Sequence, residues 1–166
     1  FGDWPMAVDQ AKEDPWAEPE WYLLSYQKAM TASSSEEGRE PSFATDENIQ
    51  TWWRADGNQP GEWISMDLGE VKDVRAVQIN FADDKIDAPL PGERQGERYI
   101  DPSQHKTRWL LEASADGTNY FALADKSDAE TNLPHDFIVK EEGVQIRYLK
   151  LTVFEVPYNQ NPCISG

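Results

Sequence analysis

Apolar and polar residues alternate in two neighbouring stretches: Ile64, Met66 and Leu68 within 62–68, and Val77, Ile79 and Phe81 within 74–81. Alternation with a period of two turns one face of each stretch toward a core and the other toward water, as in half-buried antiparallel strands. The same criterion predicts strands over 21–26, 29–34, 107–114, 120–124, 136–140 and 144–154. In the last of these, Ile146, Leu149, Leu151 and Val153 are core candidates. Asp116-Gly117 marks a hairpin turn. About eight short strands separated by turn signals, with no long amphipathic helix, predict an all-β antiparallel β-sandwich of jelly-roll type. Its expected core includes Trp53, Ile64, Met66, Leu68, Val77, Ile79, Leu111, Leu149 and Leu151.

Three regions depart from this rhythm. Residues 1–20 carry Trp4-Pro5, Pro15-Trp16 and Pro19. Proline blocks regular pairing, so a linker is expected there, or a segment that docks its aromatic residues on this domain or on a preceding catalytic one. The domain proper is then 21–166. Residues 82–106 form a long irregular loop holding Arg94, Arg98, Tyr99 and His105; loops of such length are functional or are family-specific insertions. At the other end, 157–162 read as a loop with only 163–166 after it. Either the closing strand is very short or the chain ends within it.

Composition narrows the function classes. The chain has 166 residues, 39% of them hydrophobic and 11% aromatic, and its mean hydropathy is −0.74. These values fit one packed domain with charged loops. No apolar run has the length of a membrane span, and residues 1–5 show neither a basic region nor an apolar one of secretory type. Thirty-one acidic residues face 15 basic ones, for a net charge of −16. That field disfavours nucleic acid and anionic membrane surfaces and favours a neutral ligand or a cation. Cys163, the single cysteine, cannot form an internal disulfide. His105 and His135 are the two histidines and no G-x-S-x-G occurs, so no nucleophile, zinc or paired-carboxylate constellation stands out for catalysis. The acidic turn with Asp46, Asn48 and Thr51 offers closely spaced oxygens of the kind calcium prefers; the same residues suit a metal-free Asx turn.

Five ordered motifs give the chain a family likeness. They are A-x-D-x-N-x-x-T-x-W (44–53), W-I-x-x-D-L-G (63–69), V-x-x-V-x-I (74–79), L-E-x-S-x-D-G-x-x-Y (111–120) and I-R-Y-L-K-L-T-V (146–153). Together they resemble the discoidin, or coagulation-factor V/VIII type C, fold over 21–166. The wording E-W-Y-L-L-S-Y, Q-I-N-F-A-D and P-Y-N-Q-N is similar to the module that follows the catalytic domain in some bacterial family 43 glycoside hydrolases.

The resemblance implies a non-catalytic carbohydrate-binding module, family 32-like, linked to a glycoside hydrolase and working outside the cytoplasm on a polysaccharide or oligosaccharide. The alternative it leaves open is a structural domain that braces the enzyme without binding sugar. It also implies a structural calcium on Asp46, Asn48 and Thr51, with Glu155 as the further carboxylate. Sugar sites in such modules lie in loops at one end of the sandwich, which here nominates Trp52, Arg54, Arg98, Tyr99 and Tyr158. Trp53 matches the family's core tryptophan, whereas Trp52 either stacks on ligand or packs under a loop. Arg54 replaces the family's ligand histidine, so no particular sugar is implied. Animal relatives tie their chain ends with a disulfide, which one cysteine does not allow.

Overall fold

A computed structural model describes residues 22–86 and 105–166. Seven strands and two short 3-10 turns (Pro41–Ala44 and Pro157–Asn159) make up its regular structure. The strands are β1 (Ala29–Ala32), β2 (Trp53–Arg54), β3 (Glu62–Asn80), β4 (Arg108–Ser114), β5 (Phe121–Asp125), β6 (His135–Glu155) and β7 (Cys163–Ile164). They pair antiparallel throughout, in a five-stranded sheet of order β1-β3-β6-β4-β5 and a ribbon of β2 with β7.

The two predicted strands 62–68 and 74–81 are one strand, as are 136–140 and 144–154. β3 and β6 stay paired from Glu62↔Val153 to Asn80↔His135, interrupted by two complementary irregularities. In the first, Leu68, Gly69, Glu70 and Val71 of β3 face only Arg147 of β6; in the second, residues 140–143 of β6 face only Arg75 of β3. Each holds a glycine with positive φ, Gly69 at 89° and Gly143 at 73°. Left-handed backbone of this kind lets a strand turn sharply without a Cβ penalty. The ribbon folds over here, and its two ends return to the same end of the molecule. Ser34 Oγ donates to Glu62 at the start of β3 (2.9 Å), while Lys85, five residues past the end of β3, pairs with Glu36 beside that serine. Arg147 fastens the crease by donating to both carboxylate oxygens of Asp67 (2.7 and 2.8 Å), and the Gly69 amide adds a third bond (2.7 Å). These donors hold the Asp67 carboxyl down at about 2.

The second layer is thus built from the far half of the ribbon together with β7 and β2. β7 bridges to Phe81, and Asn80 N–H donates to the Gly166 carbonyl (2.6 Å). Between the layers lies the core, with Trp53, Ile64, Leu68, Ile79, Trp109, Leu111, Leu149, Leu151 and Val153 buried and Met66 and Val77 packed at its margin. Residues 163–164, after the loop at 157–162, form a two-residue strand buried at both positions. Residues 22–25 do not form the expected strand: Tyr22 and Leu23 are exposed, and the chain turns at Gln27 with φ 52° before β1 occupies the sheet edge. Trp21 and the expected docking segment 1–20 lie outside the described residues. Among the described residues no helix is long and apolar enough to cross a membrane.

Candidate functional site

Loops 33–40, 55–61, 81–86 and 156–162 converge at one end of the sandwich, and β2 supplies the residues between them. The buried Trp53 anchors this end from beneath. Its indole N–H lies 3.0 Å from the Ser34 carbonyl and 3.1 Å from Ser35 Oγ, which fixes loop 33–36 over β2. Backbone bonds from Glu36 N–H to the Arg54 carbonyl (2.9 Å) and from Arg54 N–H to the Arg39 carbonyl (3.3 Å) complete the seam.

Above the seam, charged side chains interlock. The Arg54 guanidinium pairs with Glu36, whose other oxygen takes Lys85. Those cations, Lys85 foremost, hold the Glu36 carboxyl below its ordinary value. Arg54 keeps only 12% of its side chain exposed, and its Nε has no hydrogen-bond partner among the described residues. Trp52 donates its indole N–H to Asp84 (3.0 Å) and carries the Arg39 guanidinium 4.0 Å from its ring centre; Arg39 in turn pairs with Asp84 at 3.2 Å. Cys163, opposite Arg54 in the β2–β7 ribbon, is buried, and burial pushes its thiol up to about 12.

Tyr158 belongs to the same end. Its ring packs on His105 at 4.1 Å between centroids, and its backbone sits in the left-handed region at φ 57°. Asn58 donates to the Asn159 carbonyl (2.9 Å), and Gln160 reaches Asp83, next to the partner of Trp52 (3.4 Å). The structure therefore gathers Trp52, Arg54 and Tyr158 at one end, whereas Arg98 and Tyr99 fall outside the described residues. Glu36, Arg39, Asp84 and Lys85, which no sequence motif nominates, complete the cluster.

The nominated metal residues divide. Asp46, Asn48 and Thr51 form one turn: Asp46 accepts from Asn48 N–H (2.9 Å) and from Thr51 Oγ (2.7 Å), and Asn48 Oδ1 accepts from Gln50 N–H (3.0 Å). Glu155 stands apart from this network and pairs with Arg108 at 3.2 Å. The Asp46 and Asn48 side-chain oxygens accept these hydrogen bonds within the turn while Thr51 Oγ donates, the arrangement of an Asx turn. Among the described residues no group of three or more His, Cys, Asp or Glu is placed to hold a metal.

Comparison with known proteins agrees with this architecture. The model of the F5/8 type C domain matches residues 29–90. No curated protein matches the chain. Among solved structures, the CpGH89CBM32-4 module of Clostridium perfringens, in complex with glcNAc-α-1,4-galactose, superposes with a TM-score of 0.66 at 17% identity, covering 89% of this chain and 92% of that one. Chitosan-binding module 2 of a chitosanase/glucanase from Paenibacillus sp. IK-5, in complex with chitotriose, gives 0.65 at 17% identity, with 86% and 95% covered. The CBM32 of AlyQ, in complex with 4,5-unsaturated mannuronic acid, gives 0.59 at 20% identity, with 84% and 92% covered. Residues 29–90 carry the F5/8 type C pattern, and the chain has the discoidin-like β-sandwich fold of these modules.

Proposed function

We propose that the chain is a non-catalytic carbohydrate-binding module, fused to a glycoside hydrolase outside the cytoplasm and acting on plant or host polysaccharide through the loop end. The observation that carries this reading is the convergence of Trp52, Arg54 and Tyr158, from three separate parts of the chain, at the end of a sandwich shared with sugar-binding modules. An indole edge, a guanidinium and a phenol ring supply the apolar and planar polar contacts a pyranose needs. The ligands of the structural neighbours include an anionic sugar acid, a neutral disaccharide and an amino-sugar trimer. A net charge of −16 selects against the first class. Affinity electrophoresis through gels of neutral, cationic and anionic polysaccharide tests the reading. Retardation by a neutral gel, reduced by Trp52→Ala and by Tyr158→Ala, is the expected result. Retardation only by the anionic gel would overturn the charge argument.

One observation favours the bracing role as the second reading. Arg39 covers one face of Trp52, and Glu36 holds Arg54, so both groups already have partners within the domain. Under that reading no polysaccharide retards the chain, and the linked catalytic domain loses thermal stability when the module is removed. Calcium enters both readings in the same way: an ion at Asp46 would share a carboxylate that already accepts two hydrogen bonds.

A further inference from the structure

The outer face of the five-stranded sheet holds a cleft of about 600 Å³, lined by Trp63, Asp67, Glu112, Tyr120, Tyr148 and Lys150. Its volume lies within the range typical of small-ligand sites. No residue of the loop-end cluster lines it. The lining follows from strand alternation: Ile64, Met66 and Leu68 point toward the core, so Trp63, Ser65 and Asp67 point outward, as do Tyr148 and Lys150 opposite them. The antiparallel register sets Glu112 of β4 directly across from Lys150 of β6. Yet Lys150 does not pair with that carboxylate. Its ammonium lies over the Trp63 ring, 5.2 Å from the centroid, and no ion pair with Glu112 forms among the described residues. Asp67, by contrast, is neutralised by Arg147. Among the described residues Glu112 is thus a half-buried carboxylate in no ion pair, and it lines the cleft together with aromatic rings.

We propose that this cleft is a second saccharide-binding surface, taking an oligosaccharide with protonated amino groups, with Glu112 as the counter-charge and Trp63 and Tyr120 as ring platforms. The CH face of a pyranose packs on an aromatic ring, and an ammonium is drawn both to a carboxylate and to an aromatic face. Lys150 over Trp63 shows that this indole already attracts a cation. Thr31 on the same wall offers a hydroxyl partner for sugar hydroxyls, while the Ser65 hydroxyl already donates to the Leu149 carbonyl (2.9 Å). Tyr120 is 38% exposed, and its hydroxyl is pushed above its ordinary value by burial and then by neighbours that include Tyr148, Glu112 and Asp67. A cation entering the cleft meets Glu112 and the aromatic faces, with the Lys150 ammonium as its competitor on the same wall, in the field of an acidic domain. At the loop end, Glu36 and Asp84 already carry Arg54, Lys85 and Arg39.

The proposal extends the saccharide reading to a surface that shares no residue with the loop end, so the two fail separately. Calorimetric titration of the 166-residue chain with a glucosamine trimer, its N-acetylated counterpart and an oligolysine peptide provides the test. Glu112→Gln, which keeps the side-chain shape, should weaken the glucosamine trimer about tenfold while the circular dichroism spectrum is unchanged. It should leave any binding of the acetylated trimer alone. Lys150→Met should strengthen the amine-bearing trimer by removing the internal competitor for Trp63. Trp52→Ala at the loop end should leave the cleft's affinity unchanged. An affinity indifferent to Glu112→Gln overturns the proposal, as does one abolished by Trp52→Ala, which would place the trimer at the loop end. Oligolysine bound as well as the trimer, with the same sensitivity, overturns the saccharide assignment and leaves a general cation site.

Discussion

The loop end and the sheet cleft are both rich in aromatic and charged groups, and they use them in opposite ways. At the loop end nearly every such group is held by another: Arg54 by Glu36, Trp52 by Arg39 and Asp84, and Tyr158 by His105. In the cleft the sheet register sets the side chains in place, and among the described residues Glu112 forms no ion pair. Loops have no ladder of their own and must use side chains to hold their shape. Strands receive theirs from the sheet. Ligand binding at the loop end must compete with internal contacts, whereas binding in the cleft competes with one lysine.

The comparison can be broken most forcefully from below the loop end. Trp53→Ala removes a fully buried indole and both hydrogen bonds that hold loop 33–36, and should cost about 3–5 kcal/mol in chemical denaturation. Trp53→Phe keeps most of the volume and should cost well under half of that. A small loss in the alanine variant would mean that the side-chain network alone holds the loop end. Next in size is Arg54→Met, which leaves Glu36 with Lys85 alone and should lower the Tm by a few degrees. An unchanged Tm would show the cluster to be available for ligand rather than engaged in structure.

A smaller effect concerns the crease that both regions share. Asp67 sits at about 2 in the folded chain against an ordinary 3.8. Its folded value is depressed, so its contribution to stability is present above about pH 4 and is lost as pH falls through about 2. Acid unfolding of Asp67→Asn should show a shallower slope in that window than the parent. Smallest of all is calcium. With its turn oxygens already bonded, the domain should melt at the same temperature in EDTA and in millimolar calcium. A rise of several degrees would restore the metal that the family resemblance implies.

Much of the fold was legible because alternation is local. Ile64, Leu68, Ile79, Leu111 and Leu151 could be assigned to the core from their own neighbours, and all are buried. The fusion of predicted strands into β3 and β6 was not legible. Gly69 and the residues after it read as an ordinary turn, and nothing nearby reveals that β6 continues to pair across it. The apolar run at 22–24 resembled a strand, but β1 already occupies the edge of the sheet. At the loop end Trp52, Arg54 and Tyr158 could be nominated individually. Their partners could not, because Glu36 lies 18 positions from Arg54 and Asp84 lies 32 positions from Trp52. The cleft was hidden for a related reason: outward residues of a strand look like solvated surface until register sets four strands side by side.

The crease in the β3–β6 ribbon has a consequence for how the molecule opens. In a sandwich whose layers are separate sheets, one layer can fray while the other keeps its amide protons. Here two continuous strands run through both layers, so rupture of their pairing at the Asp67–Arg147 clasp would loosen both at once. Amides of β3 on either side of Gly69 are then expected to exchange with deuterium at a common rate set by global unfolding, with the loop-end amides exchanging faster and independently.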